Sequence, residues 1–275
     1  MKIAFFGTPD FTTVFLDTLV SSGFSPSLIV TNPDRPSGRG MTLQSPAPKL
    51  WADTHGISVI QPEKITEDIL AELQKESWDL FIVIAYGKIL PQALIDIPKY
   101  GTINLHYSLL PKYRGATPVE SAILNGDTVT GIAIQQMRFK LDSGPIYVRS
   151  ELDIAPTDTT PSLRAKLNAE ALRLLVPTLS GIFKGSILPI EQSEEGVSRC
   201  TKINKEDGQL NLSDAPEIND RKYRAYYGSI GTYFFHDGKR IKIIAAHFSE
   251  GQFIIDEVIP ENGKKMPYSI FVSSL

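Results

Sequence analysis

Two kinds of segment alternate along the first part of the chain. Ile3-Ala4-Phe5-Phe6 and Leu80-Phe81-Ile82-Val83-Ile84 are continuously apolar, as strands of a parallel sheet covered on both faces read. Between such runs, apolar residues recur at helical spacing, as at Val14, Phe15, Leu19 and Val20. The pattern predicts strands at 2–6, 27–31, 58–60, 80–84, 130–136 and 146–152. It predicts helices from about 11, at about 48–55 and 66–75, from Thr117-Pro118, and over 160–184 with a kink at Pro177. Thr117 is read as an N-cap, with Glu120 closing a capping box. Strand–helix alternation of this kind places the chain in the α/β class. From about Lys205 the character changes to short strands and turns, with His236-Asp237-Gly238-Lys239 as a hairpin. The expected domains are 1–189, a linker at 190–204, and a small β domain at 205–275.

One strand carries candidate chemistry. Asn104-Leu105-His106-Tyr107-Ser108-Leu109-Leu110-Pro111 begins as a strand and runs into the loop Lys112-Tyr113-Arg114-Gly115. Side chains alternate along a strand, so Ile103 and Leu105 point one way and Asn104 and His106 the other. Ligands of open α/β sheets sit at the carboxyl ends of strands. The amide can donate to a developing oxyanion. The imidazole can take or give a proton near neutral pH. No Ser sits on a Gly-x-Ser-x-Gly elbow, and the single cysteine, Cys200, lies far along the chain. The pair is therefore expected to serve a reaction between two bound substrates. Asp142, in Lys140-Leu141-Asp142-Ser143-Gly144, is a candidate orienter of the imidazole. The plain alternative is a packed or surface histidine. One His and one Asp lack metal-ligand spacing, and no metal is expected.

Composition narrows the class further. A length of 275 residues suits one large or two modest domains. One cysteine excludes an internal disulfide framework and fits a reducing compartment. No window approaches the ~20 apolar residues of a membrane span, and the chain enters a strand at once, so a cytoplasmic location is expected. The turn after the first strand holds Gly7 alone, which does not indicate a dinucleotide cofactor. A net charge of -3 supplies no overall basic face for a nucleic acid. The long Pro- and Gly-rich loop at 32–46 carries Arg35 and Arg39. Guanidinium forks match phosphate oxygens, although a solvated surface loop would have the same composition.

Asn104-x-His106-x-Ser108-Leu109-Leu110-Pro111 with the distant Leu141-Asp142-Ser143-Gly144 resembles the folate-dependent formyltransferases. Further segments appear in order: Phe6-Gly7-Thr8-Pro9-Asp10-Phe11, Asp34-Arg35-Pro36-Ser37-Gly38-Arg39-Gly40, Gln61-Pro62-Glu63-Lys64, Ala85-Tyr86-Gly87-Lys88-Ile89-Leu90-Pro91, Arg114-Gly115-Ala116-Thr117-Pro118 and Lys202-Ile203-Asn204-Lys205-Glu206-Asp207-Gly208. Within the family they are most similar to the branch acting on methionyl-tRNA, and the resemblance thins after about residue 210.

The resemblance implies a Rossmann-like domain with a mostly parallel twisted sheet, followed by a C-terminal β domain. About seventy residues remain there, so an abbreviated oligonucleotide-binding-type barrel or an open sheet is expected. It implies transfer of a formyl group from 10-formyltetrahydrofolate to the amine of initiator Met-tRNA, with Asn104, His106 and Asp142 catalytic. Ser108, Leu109, Leu110 and Pro111, with Ile89 and Leu90 as an apolar wall, would line the folate site. Arg35 and Arg39 would contact the tRNA acceptor end. A monomer is expected. Other readings remain open at this point: an amino sugar nucleotide as acceptor, a hydrolase releasing formate from the donor, or a non-catalytic RNA- or folate-binding relative.

Overall fold

A computed structural model describes residues 1–37 and 41–273. In chain order, β1 (Ile3–Gly7) leads to α1 (Thr12–Ser21), β2 (Leu28–Val30), β3 (Arg35–Ser37), β4 (Thr42–Gln44), α2 (Ala47–His55), β5 (Ser58–Ile60), α3 (Glu67–Gln74), β6 (Leu80–Ile84), α4 (Gln92–Ile95) and β7 (Thr102–His106). Then follow β8 (Arg114–Gly115), α5 (Pro118–Leu124), β9 (Val129–Gln136), β10 (Ile146–Asp153), α6 (Thr160–Lys184) and β11 (Arg199–Cys200). After a 3-10 turn (Lys205–Gly208) come α7 (Pro216–Tyr226), β12 (Thr232–His236), β13 (Lys239–Ser249), β14 (Gln252–Pro260), β15 (Met266–Pro267) and α8 (Tyr268–Ser273).

Seven strands form one sheet in the order β10-β9-β7-β6-β1-β2-β5. The strands from β5 to β7 in that order are parallel, and β9 runs antiparallel to β7. The continuous apolar runs follow from burial on both faces. Ala4, Phe6, Val30, Phe81 and Val83 pack with Leu73 of α3 and Leu94 of α4. The alternate residues Ile3, Phe5, Ile29 and Ile82 are equally buried, and alternation puts them on the opposite face. Each such side chain contributes about 1.5–3 kcal/mol of burial. The order departs from β1 in two directions, to β2 and β5 on one side and to β6 and β7 on the other. A reversal of this kind opens a crevice at the carboxyl ends of the strands.

Contacts divide the chain into two units: Met1–Arg114 with Ile132–Ser150 and Asn168–Ser198, and Gly115–Gly131 with Glu151–Leu167 and Arg199–Leu275. This differs from the contiguous division expected at 1–189, 190–204 and 205–275. In the second unit α5 packs on α7, Thr160 Oγ1 donates to the Ala225 carbonyl (2.6 Å), and Arg164 pairs with Glu120 (2.8 Å). In the first unit the stretch read as a linker is strapped down, because Ile190 and Ile146 exchange backbone hydrogen bonds of 2.7 and 2.9 Å.

The second unit holds a four-stranded sheet in the order β12-β13-β14-β15, antiparallel throughout. Tyr223 of α7 and Phe271 of α8 join Phe234, Ile241, Ile243 and Val258 in its core. A barrel requires its end strands to pair. Here β12 and β15 stand at opposite ends of the order, so the open-sheet alternative is what forms. The hairpin at His236–Lys239 is as expected, with Asp237 and Gly238 both at positive φ (47° and 74°).

Three local expectations are corrected. The 32–46 loop is not structureless, since β3 and β4 pair within it. The capping box at α5 does not form: Pro118 opens the helix, but Thr117 Oγ1 donates to the Thr201 carbonyl (2.7 Å) and Glu120 takes Arg164. Within the region after Lys205 read as short strands and turns, Pro216–Tyr226 is a helix.

Candidate active site

β7 delivers His106 to the carboxyl end of the sheet between β6 and β9. Asn104 sits opposite Gln135 and His106 opposite Ala133 across the antiparallel ladder, while Val83 of β6 flanks Asn104 on the other side. Directly opposed residues share a face, so the Asn104 and Gln135 amides are neighbours. Asn104 is half-buried. His106 is only 5% exposed.

The imidazole is held at one nitrogen and faced by a carboxylate at the other. Nε2 lies 2.9 Å from the Tyr113 carbonyl oxygen. A carbonyl only accepts, so Nε2 carries a hydrogen and donates it. Nδ1 lies 3.7 Å from Asp142 Oδ2. That is too long for a hydrogen bond but close enough for an imidazolium and a carboxylate to attract. Nδ1 is therefore the nitrogen left for proton chemistry. Asp142 Oδ1 accepts from Gln135 Nε2 (3.0 Å), which aims the carboxylate.

The loops that bring these groups together are conformationally demanding. Ala85, Tyr113 and Asp142 all have positive φ, at 50°, 57° and 49°. For a residue with a Cβ this costs roughly 1–2 kcal/mol, and such residues concentrate at functional sites. Two residues beyond Asp142, a Cβ on Gly144 would stand 1.7 Å from the Gln136 carbonyl oxygen, so only glycine lets the turn close back onto β9. Ser198 tethers the other loop: its hydroxyl accepts from Tyr113 N (2.8 Å) and its carbonyl from Arg114 N (2.9 Å).

The expected folate-lining residues separate. Ser108 and Leu110 are fully buried; the Ser108 hydroxyl donates to the Lys112 carbonyl, and Leu110 packs with Ala133 and Ile146. Leu109 and Pro111 are half-buried, and Arg149 Nη1 donates to the Leu110 carbonyl (2.9 Å). Ile89 is 77% exposed, whereas Leu90 is 3% exposed and packs in the sheet core with Phe6, Phe81 and Tyr86. An open apolar wall is thus available from Ile89 and not from the Leu90 side chain. Arg35 is exposed and paired with Glu63 (2.5 Å). Arg39 lies outside the described residues.

Sequence reasoning missed Gln135, Arg114, Gln192 and Ser198. Gln135 had a usable signal, as a buried-strand amide directly after the apolar run Ile132-Ala133-Ile134 that meets Asn104 in register. The segment holding Gln192 and Ser198 has the composition of a linker and offered none.

The formyl transferase family model matches residues 1–179. The methionyl-tRNA formyltransferase of Thermodesulfovibrio yellowstonii is 39% identical over 90% of this chain and 81% of that protein. The enzyme of the same name from Neisseria gonorrhoeae is 38% identical over 94% of this chain and 85% of its own length. The fold is also that of the N-formyltransferase from Helicobacter canadensis, crystallised with folinic acid and dTDP-3-aminofucose, at a TM-score of 0.68 and 17% identity over 93% of this chain and 95% of that one. The extent and identity of these matches place the chain in the formyl transferase family, among the methionyl-tRNA formyltransferases.

Proposed function

We propose that this chain transfers a formyl group from 10-formyltetrahydrofolate to the α-amino group of methionine on initiator Met-tRNA, in the cytoplasm, for translation initiation. The observation that carries the reading is the approach of Asp142 to His106 Nδ1 at 3.7 Å, beside Asn104, in a chain whose relatives carry that name. The donor brings its own activated one-carbon unit. Its pterin would rest against exposed Ile89 and the Ser108–Pro111 backbone, where half-buried Leu109 and Pro111 fit an apolar ring. Arg35 and Arg39 would face the acceptor end of the tRNA.

In this reading the neutral amine attacks the formyl carbon. A bond forms to the amine nitrogen and the carbonyl electrons move to oxygen. Asn104 and the His106 imidazolium stabilise that oxyanion. Asp142, through water, takes the amine proton. The oxyanion electrons then re-form the carbonyl as the carbon–nitrogen bond to the carrier breaks, and the departing nitrogen takes up the proton passed back from Asp142 through water. Because His106 Nε2–H is committed to the Tyr113 carbonyl, the proton facing the reaction is the one on Nδ1.

The test is incubation with 10-formyltetrahydrofolate and, in separate reactions, charged initiator tRNA or an amino sugar nucleotide. Formyl-methionine on the tRNA supports the proposal. A formylated sugar with unmodified tRNA would assign the other acceptor, and release of formate alone would make the chain a hydrolase.

A further inference from the structure

Gln192 belongs to the irregular stretch after Ile190, yet its side chain is half-buried and satisfied at both ends. Its Oε1 accepts from Arg114 Nε (3.1 Å) and Nη2 (2.8 Å). Its Nε2 donates to the carbonyls of Asp142 (2.9 Å) and Gly144 (2.7 Å). The orientation of the amide is forced, since a guanidinium only donates and a carbonyl only accepts. Arg114 is 4% exposed and directly follows Tyr113, whose carbonyl holds His106 Nε2. Asp142 presents its carboxylate to Nδ1 of the same ring. One amide therefore ties together the two backbone stretches that fix the two nitrogens of the histidine.

We propose that Gln192 is a positioning residue that sets the separation between Asp142 and His106, with Arg114 as its anchor. The proposal rests on the reading of His106 and Asp142 as the proton-handling pair. Asp142 sits at a φ of 49°, a conformation it keeps only while surrounding contacts hold it. The two hydrogen bonds from Gln192 are such contacts. Without them the turn is free to relax towards an ordinary φ, and the carboxylate moves with it.

Gln192→Glu is the discriminating variant. It is close to isosteric and keeps the pairing with Arg114, but it turns an oxygen towards two carbonyl oxygens. Gln192→Met, which has neither polar end, guards against a fold that rejects the charge. Both variants are expected to remain folded with a lowered midpoint, because each leaves hydrogen-bonding groups around residue 192 unmet, and to show faster amide hydrogen exchange at 140–144. kcat should fall on the order of 100-fold, as displacement of a catalytic group by about an ångström does, with KM for donor and Met-tRNA little changed. In an Asp142→Asn background, single-turnover rates should show no further loss, because the group through which Gln192 acts has been removed. Unchanged exchange at 140–144, a loss confined to KM, or an equal further loss in the Asp142→Asn background would overturn the proposal. If the parent itself formylates nothing, the failure belongs to the functional reading, and the exchange measurement still decides whether Gln192 holds the turn.

Discussion

At His106 the two ring nitrogens have different duties, and a substitution can separate them. Glutamine can reach the Tyr113 carbonyl with an N–H, as Nε2 does at 2.9 Å, but it offers no imidazolium N–H where Nδ1 stands. His106→Gln is therefore expected to fold like the parent and to lose about 10²–10⁴-fold in formyl transfer, read from the initial rate beside a thermal melt. Asn104→Ala should cost roughly 10²–10³-fold if its amide serves the oxyanion, with the donor's KM little changed. Gly144→Ala should both slow the reaction and lower the melting temperature, because the new methyl meets the Gln136 carbonyl. Asn104, His106 and Asp142 were legible in the sequence because polar residues interrupt apolar strands or sit on a turn between them. Gln192 was not, because what distinguishes it is four partners distant in the chain, Arg114, Gln135, Asp142 and Gly144, and no local pattern records those.

Among the elements, the parallel strands were the easiest to read. Burial on both faces forces runs such as Leu80–Ile84 to be apolar at every position, and a polar residue within one is conspicuous. α7 shows the opposite case. Its buried residues include Asn219, Tyr223 and Tyr226, at helical spacing, but all three carry polar groups and most of the remaining positions are charged. Hydrophobic periodicity therefore fades, although Pro216 at the first position and Glu217 in the first turn are helix-start residues. The role of α7 in covering β12–β14 makes a stability prediction. Ile243→Ala, deep in that core at 3% exposure, should destabilise the second unit by about 2–5 kcal/mol, measured by urea denaturation followed through tyrosine fluorescence.

For the molecule as a whole, acid should be the sensitive direction. Lys49, then Gln61, hydrogen-bond the Asp34 carboxylate and hold its pKa at about 2 against an ordinary 3.8. Arg173, then Ser150, hold Glu170 at about 2 against 4.5. A carboxylate depressed on folding stabilises the native state above its unfolded value, and that contribution disappears as pH falls through the folded one. Stability should thus drop between about pH 4.5 and 2 through these groups. Asp34→Asn and Glu170→Gln should flatten that part of a plot of melting temperature against pH; an unchanged slope would count against the contacts described. The broad architecture was readable from alternation of strand and helix. The division into units was not, because it depends on helix packing between α5 and α7 that adjacency in the chain does not report.

The strap from Ile190 to Ser198 has a practical bearing on protein engineering. A builder of chimaeras, guided by composition, would cut at residue 190 and graft a foreign tail. That splice would discard the amide joined to Arg114 and the turn at Asp142 and the hydroxyl that tethers Tyr113. A graft made after Ser198 should retain turnover on a minimal acceptor, and one made at 190 should not, although both recipients keep Asn104, His106 and Asp142.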